Sequence, residues 1–439
     1  MHIVRRIPLW AAITLLVYMP FHIFLAQSLS LLTGGLEAWK IGKDVFLAAA
    51  VLFTICLVWQ QKVGNSLFRW LVGLSAVYFL AHLALWLSHP GLYQQSAVLG
   101  TIYNMRLPAF LVLGYGAALL YPGKFVFSSV IKLVLIVSTA VAGLGILQYF
   151  LPSDLLAHLG YGLERGTRTA FFIEDNPDLP RIMSTLREPN ALGAYLLLPA
   201  AALLALFFKE QKSRVRYMFA FALLVHLAAI FLTHSRSAWL GAALALVLVS
   251  WWRFGRTIRV WLRRFWPVAT GLVLVVVAAA FALRDTAFFQ RYIVHSEPTE
   301  QVADLDSNDL HVLLAKEGLE GIADKPLGHG PGTAGLVSIR NPEGGQLTEN
   351  YYIQIGYEVG VLGLAVFIAL NALVYVRLRR LHGDFAAALC ASFWAYVLMN
   401  MLLHTWSNET LAAQWWTLAG MALAGLRARV AAGAVSQPR

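Results

Sequence analysis

Apolar positions in this chain come in long, nearly unbroken runs, not in the alternation of half-buried strands. A bilayer core about 30 Å thick needs roughly 20 apolar residues per helix. Runs approaching that length recur along most of the sequence. Twelve are read as spans, near 7–28, 43–60, 68–88, 98–120, 128–151, 189–208, 217–232, 238–252, 266–283, 352–375, 385–403 and 411–426. Inside lipid every backbone N–H and C=O must be bonded within its own segment, which selects helices, whereas barrel strands would alternate. The expectation is an all-α polytopic membrane protein, a single integral domain over 1–439 with about twelve transmembrane helices.

Two polar segments, 152–188 and 284–351, are too long to be simple connections. The second is expected to contain an amphipathic helix near 307–322, with Asp306 or Ser307 as its N-cap. Leu310, Leu313, Leu314 and Ile322 would form the apolar face.

Charge then orients the chain. Only 13% of the 439 residues are charged, against about 25% in a soluble domain, yet the net charge is +11. On a soluble protein that balance would suggest nucleic acid. Here most of the 34 Lys and Arg residues fall on the side that holds both termini, the pattern of the positive-inside rule. The reading is N-in and C-in, with 152–188 and 284–351 as outer loops and no nucleic-acid partner. The basic stretch Met1–Arg6 leads into an apolar run read as a retained first span. Cys56 and Cys390 both lie in apolar spans, so no disulfide framework or metal cluster is expected.

The outer side carries isolated arginines at span ends. Arg181 and Arg187 stand in RIMSTLREPNALGAYL, Arg236 in the short turn THSRSAWLGA, and Arg291 in FFQRYIVHS. A guanidinium is a planar five-donor fork suited to phosphate oxygens; the plainer reading is snorkelling or a structural ion pair. In PLGHGPGTAG, the glycines Gly328, Gly330, Gly332 and Gly335 permit a tight loop whose amides can face an anion. No Gly-Lys-Ser/Thr follows, so this is not a nucleotide loop. Glu349 and Asn350 stand just before the tenth span. Glu349 is a candidate general base, or a carboxylate favoured by the helix dipole. His329 and His311 are acid/base candidates or simple hydrogen-bonding residues. The Asp304–Asp306 pair is read as a solvated loop, and no metal or cofactor is called for. Trp394, Trp406, Trp415 and Trp416 are candidates for a sugar surface or for helix packing.

Taken in order, REPNALGAYL, THSRSAWLGA, a long outer loop, KPLGHGPGTAG and TENYYIQIGYEVGVLG resemble the O-antigen ligase and polymerase superfamily over about residues 180–375. The resemblance implies a metal-independent glycosyltransferase of the GT-C type on the periplasmic face of a bacterial inner membrane. Its donor would be a glycan on undecaprenyl pyrophosphate. Its acceptor would be the lipid A core in a ligase of lipopolysaccharide, or another carrier-linked unit in a polymerase of exopolysaccharide or O-antigen. The family's pyrophosphate-binding arginines map onto Arg236 and, further, Arg291 and Arg181. Ligases of the family usually carry histidine before the asparagine that opens the span after the long loop, where this chain has Glu349. The competing class is a secondary transporter or flippase, which would place charge or broken helices near the midplane; Arg106 is the nearest such charge.

Overall fold

The computed structural model describes residues 3–173, 176–286, 307–342 and 344–425. Within them the chain is almost wholly helical. The first expected span is two helices, α1 (Ile7–Tyr18) and α2 (His22–Thr33), separated by a tight turn at Met19–Phe21. Pro20 in that turn has no amide to continue the ladder. Then follow α3 (Leu36–Gln60), α4 (Ser66–Ser88), α5 (Gln94–Leu120) and α6 (Lys124–Gln148). A small antiparallel hairpin, β1 (Phe171–Ile173) and β2 (Asn176–Arg181), precedes α7 (Pro189–Lys209) and α8 (Ser213–Leu232).

The segments expected at 238–252 and 266–283 lie in one element, α9 (Arg236–Leu283). It departs from helical geometry at Phe254 and Phe265. Pro267 accounts for the second break, because its ring crowds the preceding turn. After it come α10 (Ser307–Asp324), a single turn α11 (Gly335–Ser338), α12 (Tyr351–Leu378), α13 (Asp384–Asn400) and α14 (Glu409–Gly425). Among the described residues nine helical segments are long and apolar enough to cross a membrane. The 17-residue α13 and α14 are shorter than those nine. The chain is thus an all-α polytopic membrane protein.

Small residues set how tightly the helices meet, as in membranes generally, where packing replaces the hydrophobic drive. The most extensive contact is α5 against α14. A Cβ on Gly114 would lie 2.2 Å from the Thr417 carbonyl, and one on Gly420 would lie 2.4 Å from the Leu111 carbonyl. Only glycine admits that approach. On the other flank α7 packs on α8, α9 and α13, with Gly193 facing Ala238. α5 and α7 are buried on most sides, whereas α4 and α8 present most of their surface outward. Exposed Trp70, Phe79, Leu80, Phe221 and Leu224 are the outward, lipid-compatible side chains of α4 and α8.

Three of the four tryptophans singled out in the sequence are packing residues. Trp406, Trp415 and Trp416 are fully buried and meet one another in tilted and edge-to-face contacts. Trp394 is 42% exposed and donates to the Tyr375 hydroxyl at 2.9 Å.

The amphipathic helix exists as α10 and packs on α12; of its expected apolar face Leu310, Leu314 and Ile322 are partly buried. A Cβ on Gly318 would touch Ile353 and one on Gly321 would touch Tyr357, while Ile322 abuts Gly356. Leu313 is 38% exposed. Gly318 and Gly321 let the two helices close. Asp306, one of the two residues expected as cap beside Ser307, lies outside the described residues, as do Arg291 and Asp304.

Candidate active site

The glycine-rich segment after α10 threads between α5 and α12. Gly332 sits so close to α5 that an added Cβ would lie 2.0 Å from the Ser96 carbonyl, and Gly100 of α5 faces it reciprocally. At Gly360 the backbone of α12 turns left-handed (φ 70°), and the Val361 amide donates to the Pro326 carbonyl at 2.9 Å. The loop therefore completes a break in a membrane helix. Its amides have protein acceptors. Gly328 donates to Lys325, Gly330 to the Glu358 carbonyl at 2.9 Å, and Gly332 to the Glu358 carboxylate at 3.0 Å. The anion that this loop cradles is Glu358 of α12. Asn104 of α5 donates to the same carboxylate at 2.7 Å and contacts the buried His82.

His329 is held in this loop with its ring stacked on Tyr357, centroids 3.9 Å apart and planes 8° apart. Its Nδ1 lies 3.3 Å from the Tyr357 carbonyl. Burial lowers its pKa. The ring lines a depression of about 500 Å³ with His89, Lys325, Asn341 and Gln346. That depression is separate from the one that contains Arg187. The side chain of His311 falls outside what the structure describes.

Arg181, Arg187, Arg236 and Glu349 are brought to one end of the bundle. Arg181 ends β2, and its Nε donates to the Thr233 carbonyl at 3.0 Å while Nη2 donates to Asn190 at 3.2 Å. The hairpin is thereby clamped to the α8–α9 turn, where Ser235 caps α9 through the Ala238 amide. Arg236 is the first residue of α9 and half-buried. Burial draws the Arg181 pKa down to about 10; Glu188 opposes this and Arg236 adds to it. Burial also raises the Glu188 carboxyl, against the pull of Arg187 and Arg181. His234 is lowered to about 4 by burial and by Arg181.

A cavity at this end is lined by Arg187, Glu188, Arg340, Lys40, Arg106 and His404, among others. Its floor is an ion network. Arg106 of α5 makes two 2.8 Å bonds to Asp44 of α3 and reaches Glu409 of α14 at 3.0 Å. Lys43 bridges the same two carboxylates at 3.2 and 3.1 Å. Two cations balance two carboxylates, the condition under which buried charge is tolerated. Arg106 is thus a structural tie between three helices.

Glu349 has left-handed backbone (φ 46°). Asn350, not Glu349, caps α12: its Oδ1 accepts from Tyr352 and Ile353 at 3.0 Å, and its Nδ2 donates to the Met401 carbonyl at 3.0 Å. The Glu349 carboxylate acts on His404, whose pKa burial lowers to about 4 and Glu349 raises. Thr348 Oγ1 lies 3.2 Å from His404 Nε2. Four non-glycine residues among those described have positive φ, and Ser184, His234 and Glu349 flank this end. Backbone strain costs about 1–3 kcal/mol per residue and concentrates where geometry serves function.

Sequence reasoning overlooked His404, Arg340 and the partners of Arg106. A histidine and a glutamate inside apolar runs, His82 and Glu358, were the available signal. Among the described residues no three His, Cys, Asp or Glu side chains are grouped so as to hold a metal ion.

Residues 219–368 match the protein family described as O-antigen ligase. The matched segment includes Arg236, the glycine-rich loop, Glu349, Asn350 and Glu358, and it ends before His404. No curated protein matches the chain.

Proposed function

We propose, on the premise that the chain is a member of the O-antigen ligase/polymerase superfamily through residues 219–368, that it transfers a glycan from undecaprenyl pyrophosphate to a hydroxyl of a glycan or lipid-glycan acceptor. The observation that carries this reading is the convergence of Arg181, Arg187 and Arg236 with Glu349 and His404 at one end of the bundle. With both termini in the cytoplasm, that end and the segments 152–188 and 284–351 face the periplasm.

The chemistry follows from the charges. The acceptor oxygen attacks the anomeric carbon, the bond from that carbon to the phosphate oxygen breaks, and undecaprenyl pyrophosphate leaves with the electron pair. Guanidinium forks at the membrane face stabilise the developing charge. Glu349, beside His404, takes the hydroxyl proton. An apolar cavity of about 600 Å³, lined by Phe21, Phe24, Leu144, Leu147 and Leu156, runs up to Arg181. It is suited to the carrier's isoprenoid chain while the headgroup meets the arginines.

The test is a transfer assay with purified, reconstituted protein, a carrier-linked oligosaccharide and candidate acceptors, in excess EDTA. A ladder of products identifies a polymerase, and one shifted acceptor band a ligase. Loss of transfer on chelation, restored by Mg²⁺ or Mn²⁺, overturns metal independence. Transport of the donor without any new glycosidic bond overturns the reading as a transferase.

A further inference from the structure

At the opposite end of α7, α9, α12 and α13 lies a second cavity, of about 540 Å³. Arg253 of α9 and Arg379, just after α12, stand on different walls, with His382 between α12 and α13. Trp252, Phe208 and Tyr375 supply aromatic surface. We propose that this cavity holds the headgroup of an anionic phospholipid.

Three observations converge on that occupant. First, the charge is unbalanced in favour of an anion. Asp384 is the lone carboxylate lining the cavity, and it is engaged by Lys209 at 3.3 Å. Among the described residues neither Arg253 nor Arg379 is paired with a carboxylate. Arg379 lines the cavity together with His382 and Cys390.

Second, the cavity opens where helix ends and aromatic side chains meet, the depth at which headgroups sit. Two guanidinium forks lining one cavity are suited to phosphodiester oxygens.

Third, the cavity is continuous with a basic surface. The stretch of α9 between its two breaks carries Arg256, Arg259, Arg263 and Arg264, all exposed, with Trp261 among them and no acidic residue. Basic clusters next to membrane helices attract anionic lipid, and basic pockets between helices bind its headgroups. The candidate active site lies at the other end of the same helices, so this ligand is distinct from the donor.

The experiment is native mass spectrometry of the full chain in detergent, titrated with dioleoyl phosphatidylglycerol, tetraoleoyl cardiolipin or dioleoyl phosphatidylcholine. The anionic lipids are expected to bind about tenfold more tightly than phosphatidylcholine. Arg253→Gln with Arg379→Gln should abolish that preference. Lys212→Gln with Arg214→Gln, which removes the same charge elsewhere, should keep it. Millimolar inorganic phosphate should leave the lipid adduct in place. Full displacement by phosphate would make this a site for a soluble anion. Equal lipid preference in the double variant, or equal loss in the charge-matched control, also overturns the proposal. If the double variant does not fold, the two single variants carry the test, each at an exposed position.

Discussion

The Gly332 amide donates to the Glu358 carboxylate at 3.0 Å, so a loop outside the helices is fastened to a fully buried charge-bearing group inside one. A glycine is required at that position twice over, by φ 76° and by the Ser96 carbonyl 2.0 Å from where a Cβ would stand. The break in α12 at Gly360, the Pro326 carbonyl and the Glu358 side chain then form one unit.

Glu358→Ala should therefore be costly. It leaves the Gly332 amide and the Asn104 amide without their acceptor, at about 1–3 kcal/mol for each orphaned donor. Glu358→Gln keeps one acceptor oxygen and should cost less. Thermal denaturation in detergent reads both effects. A Tm unchanged in the alanine variant would show that the loop holds its place without Glu358.

Most of the helices were legible in the sequence because run length is a local property. What escaped depends on distant partners. The span read from 43 begins at Leu36, because Lys43 and Asp44 are neutralised by Arg106 and Glu409 on other helices. A break such as Phe254 leaves hydropathy almost unchanged, so the non-helical geometry at Phe254 and Phe265 between the two expected spans could not be read from the run of apolar residues. The site was legible where a charge was conspicuous by its position, as with Arg181, Arg187 and Arg236. His404 was hidden because its meaning comes from Glu349, which precedes it by two helices. Glycine spacing announced a tight loop and said nothing of which anion it would face.

Arg236→Ala should remove about two to three decades of transfer rate, the loss typical of one oxyanion-type donor. Arg236→Lys should recover little, because lysine keeps the charge and loses the fork. The comparison is single-turnover transfer with each variant folded to the same Tm. Parental rates in the alanine variant would reduce Arg236 to a structural residue at the start of α9.

Stability should fall on acidification, and His404 should contribute. Its pKa of about 4 in the fold lies below the ordinary 6.5, because burial disfavours the charged ring. The unfolded chain therefore takes up the proton first. The contribution is full above about pH 6.5 and is lost as pH falls towards 4. His234, lowered to about 4 by burial and Arg181, acts over the same window. His404→Gln should flatten the decline in Tm between pH 7 and pH 4. An identical decline in that variant would assign the acid sensitivity elsewhere.

In the proposed reaction Glu349 and His404 are the candidates to accept the acceptor's hydroxyl proton, and they can be separated. Glu349 stands in strained backbone with its carboxylate acting on His404, while Asn350 performs the capping of α12. Glu349→Gln keeps shape and polarity and removes proton acceptance. If Glu349 is the base, the rate should drop about 10²–10⁴-fold, with donor affinity retained because the arginines hold the pyrophosphate. Capping should be unaffected, so the Tm should stay near that of the parent. His404→Gln removes the neighbouring ring and, if His404 only orients Glu349, should lower the rate by less. Glu349→His should restore part of the activity, since imidazole also accepts a proton. The measurement is single-turnover transfer at saturating donor over a range of pH, with donor affinity determined in parallel. Parental turnover in Glu349→Gln, together with a deep loss in His404→Gln, would move the base from Glu349 to His404.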